Sequence, residues 1–123
     1  MKSLIVDDAR VVRLALRGIM QQLGWQVVEA ENGKQAMEQL QRNHDIGLIL
    51  LDWHMPVMNG YDFLVSLRAS PEYVEEPKVI MVTTEASMPS ILKAISAGAN
   101  EYIMKPFDAD MIQEKLGMLG LPV

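Results

Sequence analysis

Cysteine is missing from all 123 residues, so disulfides and thiolate chemistry are excluded. A chain without disulfides suits a reducing compartment, and a cytoplasmic location is expected. Long apolar runs are also missing. None approaches the roughly 20 residues that span a bilayer, so membrane insertion is not expected. The opening stretch MKSLIVDDAR meets Asp7 and Asp8 after four apolar residues. That is too short for the apolar segment of a secretory signal. Positive charge is scarce: 11 Lys and Arg stand against 16 Asp and Glu, a net charge of −5. A surface that tracks a phosphate backbone needs a basic footprint, so nucleic acid is not an expected partner. Repeats, low-complexity segments and linkers are absent as well.

What is present is a composition that is 50% hydrophobic and 22% charged. It fits one domain over 1–123 with a single core, too small for a catalytic unit plus an output unit. Short apolar runs alternate with amphipathic stretches. SLIV (3–6), WQVVEA (25–30), IGLILL (46–51), KVIMVT (78–83) and EYIM (101–104) read as strands. IGLILL is apolar on both faces, as a central strand of a parallel sheet is. Between them lie helical patterns. Arg10 to Leu23 is predicted to turn Val11, Leu14, Ala15, Ile19 and Leu23 inward. Lys34 to Gln41 presents Ala36, Met37 and Leu40. Further helices are expected over Tyr61–Ala69, from Pro89 to Ala97, and from an Asp108 N-cap to near Leu119. Pro71 and Pro77 bracket an irregular stretch, and the tail LGMLGLPV is expected to fray. Five βα repeats in this order predict an α/β, doubly wound parallel sheet with right-handed crossovers. Ligands of such sheets bind beyond the carboxyl ends of the strands.

The stretch LILLDWHMPVMNG (48–60) places a carboxylate, Asp52, directly after the most apolar run. Half-desolvating a carboxylate is unfavourable unless it is paired. The other strand ends supply candidates: Asp7 and Asp8 after the first, Thr83 and Thr84 after the fourth, Lys105 and Pro106 after the fifth. If the first and third strands are neighbours, three carboxylates meet. Two such charges about 5 Å apart repel by roughly 3 kcal/mol at an effective dielectric near 20. A divalent cation relieves this, and an oxygen-only donor set suits Mg²⁺ or Mn²⁺. With the Lys105 ammonium and the Thr83 hydroxyl, the set forms a site for a phosphoryl group. The cations neutralise its equatorial oxygens while one carboxylate attacks in line.

Four motifs carry a resemblance: Asp7-Asp8, LLDWHMPVMNG, MVTTEA (81–86) and AGANEYIMKPF (97–107). In this order, each closing a predicted strand, they resemble response-regulator receiver domains, most closely the stand-alone chemotaxis type. The resemblance covers essentially the whole chain. It implies a flavodoxin-like (βα)5 fold with strand order 2-1-3-4-5. It implies that Asp52 accepts a phosphoryl group from a histidine kinase or phosphotransfer protein. Asp8 would ligate the metal directly, Asp7 mainly through water, and His54 through its backbone carbonyl. Thr83 is similar to the switch hydroxyl, Tyr102 to the switch aromatic, and Lys105 to the phosphoryl-pairing lysine, with a cis bond to Pro106. His54, Thr84 and Glu85 would tune the acyl-phosphate lifetime. Each residue also has a plain structural reading: an Asx-turn for Asp52, a helix cap for Asp7 or Asp8, strand propensity for Thr83.

By this resemblance the chain is a two-component signalling switch, a monomer when unphosphorylated. It is no enzyme beyond its own phosphorylation and dephosphorylation. Its target would be a protein such as a flagellar switch or another kinase, met through Met88, Ile91, Lys93, Ala94 and Tyr102. Met104, Met111 and Met118 lie near that face, although methionines at helical spacing are more often core filler. A phosphate sink or shuttle, or a receiver cut from a longer regulator, fits the same motifs. A phosphohydrolase of the haloacid-dehalogenase kind fits less well. Those enzymes carry a second acid two residues after the nucleophile, where this chain has His54.

Overall fold

The most apolar runs lie side by side in the centre of one sheet. In the computed structural model, which describes residues 1–123, strand β1 is Lys2–Val6, β2 Gln26–Ala30, β3 Ile46–Leu51, β4 Lys78–Thr83 and β5 Glu101–Met104. All pairings are parallel and the order is β2-β1-β3-β4-β5. Helices α1 (Arg10–Gln22), α2 (Gly33–Arg42), α3 (Gly60–Ala69), α4 (Met88–Ala97) and α5 (Ala109–Met118) connect and follow them. One 3-10 turn, Pro71–Tyr73, occupies the irregular stretch between the two prolines. The fold is the doubly wound, flavodoxin-like one expected.

The expected single core is two layers, because successive strand residues point to opposite faces. Leu4, Val6, Ile49, Leu51, Val79 and Met81 meet α2, α3 and α4 through Leu40, Phe63, Leu64, Leu67 and Ala94. Ile5, Leu48, Leu50, Ile80, Val82 and Ile103 meet α1 and α5 through Leu16, Met20, Ile112 and Leu116.

Three packing expectations are corrected. Helix α1 is rotated from its predicted face: Val11 is 79% and Leu14 52% exposed, and Ala15 is exposed too. The inward row is Arg13, Leu16 and Met20, with Val12, Ile19 and Leu23 partly buried beside it. The reason is Arg13, whose charged head finds partners inside and so takes a place that patterning reserves for an apolar residue. The tail does not fray. Trp25 Nε1 donates to the Pro122 carbonyl at 3.0 Å, and Leu119 and Leu121 pack on the second layer. Finally, Ala94 is core, whereas Met88, Met104, Met111 and Met118 are exposed.

The helices are started at the carboxyl edge of the sheet. Asn32, Asn59, Ser87 and Asp108 each accept a bond from the backbone three residues on. These caps fix where α2, α3, α4 and α5 leave the edge. Helix α1 has Ala9 at its N-cap and no side-chain cap; Asp7 Oδ1 accepts from the Ala9 amide just before the first turn.

Candidate functional site

Neighbouring strands β1 and β3 end together, with Val6 opposite Leu51. The next residues are therefore Asp7 and Asp52, and Asp8 follows. One carboxylate oxygen from each of Asp7, Asp8 and Asp52 lies within 4.8 Å of the other two. Asp7 is 1% and Asp52 7% exposed, while Asp8 is open to solvent. Lys105, from the end of β5, reaches across the edge. Its Nζ is 2.8 Å from Asp7 Oδ2 and 3.4 Å from Asp52 Oδ2. The Lys105–Pro106 bond is cis, as expected, and Glu76–Pro77 is cis as well.

Each buried carboxylate spends its other oxygen on a local amide. Asp7 Oδ1 accepts from Ala9 N at 2.8 Å, and Asp52 Oδ1 from Trp53 N at 2.7 Å. Burial pushes the Asp7 carboxyl above its ordinary value, and Asp52 adds to this. The Lys105 and Ala9 bonds oppose the rise without cancelling it. For Lys105, burial acts against the ammonium, but Asp7 and Asp52 outweigh it and its pKa is raised. The site thus holds excess negative charge that one lysine does not neutralise. Hard oxygen donors, unbalanced charge and one ligand side open to water fit Mg²⁺ or Mn²⁺.

The switch candidates converge on the β4–α4 loop. Thr83 is wholly buried, and its Oγ1 accepts from Glu85 N at 3.2 Å. The Tyr102 hydroxyl donates to the Glu85 carbonyl. Burial, then the charges of Glu85 and Asp52, push that phenol up to about 12. His54 Nε2 lies 3.0 Å from Glu85 Oε2, joining the two loops that flank Asp52. This contact, then the Ser90 hydroxyl, holds the Glu85 carboxyl below its usual range. Thr84 is exposed, and no side-chain bond is formed by it.

The chain matches the family described as the response regulator receiver domain over residues 3–117. It belongs to that family. The receiver is 41% identical over 117 residues to the chemotaxis protein CheY1 of Helicobacter pylori strain J99, covering 94% of each chain. It is 40% identical to the CheY homolog of Campylobacter jejuni, covering 94% of this chain and 89% of the relative. Among solved structures it resembles Vibrio cholerae CheY4 with a TM-score of 0.87 and 29% identity. That likeness covers 95% of this chain and 96% of the other. Receivers of this type are signalling proteins of two-component systems, not classical enzymes, and they bind Mg²⁺ at an acidic pocket.

Sequence reasoning missed some supports of this receiver's site. Gly60 opens α3 against the Asp52 carbonyl, where an added Cβ would lie 1.9 Å from that oxygen. An Asn-Gly pair at this point reads only as a loop leading into α3 and does not mark this close approach. Trp53 stacks on Tyr61 at 5.5 Å, with Lys93 Nζ 4.3 Å from the Tyr61 ring centroid. Nothing in the spacing marks that array. Arg13 donates from Nη1 to the Asp7 carbonyl at 2.8 Å, and its helical position alone gave no sign of this.

Proposed function

We propose that the chain is a phosphorylation-gated switch whose acceptor is Asp52. A carboxylate oxygen of Asp52 attacks the phosphorus of a phosphohistidine on a kinase or phosphotransfer protein. The P–N bond breaks, the imidazole leaves with its electron pair, and an acyl phosphate forms. Asp7, Asp8, Asp52 and the His54 carbonyl would hold Mg²⁺ or Mn²⁺, which neutralises phosphoryl oxygens when bound. Lys105 shifts its pairing from the carboxylates toward the phosphoryl group. Thr83 gives up its bond to the Glu85 amide and donates its hydroxyl to a phosphoryl oxygen. That change releases the Glu85 segment, which Tyr102 and His54 both hold. His54, Thr84 and Glu85 flank the mouth and set water access, hence lifetime. The observation that carries this reading is Lys105 bridging two carboxylates of a three-acid cluster at the edge of β1 and β3.

The output is a reversible protein contact on the face of α4, β5 and α5. Met88, Leu92, Ile95, Met104, Met111 and Met118 are all exposed there. Such adaptable apolar surface favours a partner-binding role over a phosphate sink or shuttle, which needs no output face.

The test uses Trp53, next to the acceptor. Mg²⁺ is expected to change its fluorescence. Beryllofluoride, a phosphoryl mimic, is expected to change it further in the native chain but not in Asp52→Asn. An unaltered response in Asp52→Asn would place the acceptor elsewhere. A Trp25→Phe background removes the second indole.

A further inference from the structure

Arg13 occupies an unusual place. It heads the inward row of α1, ahead of the apolar Leu16 and Met20, and only 10% of its side chain is exposed. Three groups satisfy its guanidinium. Nε donates to Glu29 Oε1 at 2.9 Å, Nη2 lies 3.7 Å from Glu31 Oε1, and Nη1 donates to the Asp7 carbonyl at 2.8 Å. Glu29 is itself clamped from the other side, with Arg17 Nε and Nη2 at 2.7 and 2.6 Å from Oε2. Burial works against the Glu29 carboxylate, but Arg17 and Arg13 outweigh it and its pKa is lowered. The anchor is therefore ionised and fixed on β2.

The Asp7 carbonyl belongs to the peptide unit that joins Asp7 to Asp8. That unit is planar, so fixing its oxygen fixes the direction in which Asp8 leaves Asp7. The Asp7 side has further restraints: its amide donates to the Ala30 carbonyl at 3.1 Å, and its carboxylate is held by Ala9 N and Lys105. Asp8 has none of these, and its side chain forms no hydrogen bond in the protein. Its aim depends on the peptide plane before it.

We infer that Arg13 is a positioning residue for the metal site. Anchored by Glu29, it orients the Asp7–Asp8 peptide and so presents the Asp8 carboxylate to the cation. This rests on the reading of Asp7, Asp8 and Asp52 as the Mg²⁺ site. Loss of an outer-shell partner typically weakens metal binding by about 10–100-fold.

Mg²⁺ titration by Trp53 fluorescence, with thermal melting of each metal-free chain, tests the inference. Arg13→Met should weaken Mg²⁺ binding at least about tenfold. Arg13→Lys, which keeps one donor and the charge, should recover part of the loss. Glu29→Gln should weaken binding without altering α1. Leu16→Ala removes a buried apolar side chain of the same helix, one that belongs to the second core layer. It should lower the melting temperature yet leave the Mg²⁺ affinity of the folded chain unchanged. Native-like Mg²⁺ affinity in Arg13→Met overturns the inference, as does an equal loss in Leu16→Ala. If Arg13→Met does not fold, unchanged affinity in both Arg13→Lys and Glu29→Gln overturns it. A native chain that gives no Mg²⁺ response removes the metal reading itself, a result distinct from failure of the Arg13 role alone.

Discussion

The fold tolerates the charge of Asp7 poorly. Its folded pKa stands above the ordinary value, chiefly through burial, and this already includes the attraction of Lys105. A carboxyl of this kind stabilises the fold fully below its unfolded pKa. That contribution is lost as pH rises through the folded pKa. In metal-free buffer at neutral pH, Asp7→Asn should therefore melt above the native chain. The gap should close as pH falls through the carboxylate range. Melting curves followed by circular dichroism check this, and a gap that widens in acid would contradict it. Asp52 and Lys105 were legible as residues because each stands directly after an apolar run, where a charge needs a reason. Gly60 and Arg13 were not. The role of Gly60 is a close contact with the backbone oxygen of Asp52, and that of Arg13 is a bond to a backbone carbonyl. Neither leaves a mark in patterning.

Between elements, boundaries were easier to foresee than faces. β3 and β4 match the apolar runs residue for residue, and Asp108 caps α5 as expected. The face of α1 was misjudged because Val11 and Leu14 looked inward and the one buried cation looked outward. Arg68 presents a similar case between α3 and α4. It donates to the Gly98 and Tyr73 carbonyls, both at 3.1 Å, and to Asn100 Oδ1 at 3.2 Å. Gly98 holds φ 115 at the end of α4, flush against the Arg68 side chain. Arg68 is thus a three-way tie of α3, the 3-10 turn and the entry to β5. Hydrogen bonds to a charged group contribute about 1.5–3 kcal/mol each, without adding fully. Arg68→Met should lower stability by at least about 2 kcal/mol in urea unfolding. The Trp53 response to Mg²⁺ should stay intact, since Gly98 and Asn100 lie at the opposite edge of the sheet. A loss of that response would place Arg68 in the site's own support.

At the scale of the molecule, strand order converts distance in sequence into one acidic edge. The motifs suggested that edge, while the two-layer core and the tail packed on Trp25 depended on tertiary contacts that no local pattern encodes. Concentrated negative charge makes the metal-free fold less stable than it is with the ion bound. Mg²⁺ at a hundred times its dissociation constant should add about 2.7 kcal/mol. For a domain of this length that is roughly 10 °C in melting temperature. Scanning calorimetry with Mg²⁺ and then excess chelator should show the rise and its reversal. An unmoved transition would mean that the cluster does not hold the ion.

β1 has a second consequence for this protein, one that concerns its synthesis. Its partners lie on both sides: Lys2 pairs with Gln26, and Ser3 with Leu48. As the chain leaves the ribosome, the SLIV segment therefore keeps at least one unsatisfied edge until β3 has emerged. Non-local pairing of this kind slows folding relative to helical bundles. For that interval the nascent segment is most open to chaperones, and to mispairing with other chains.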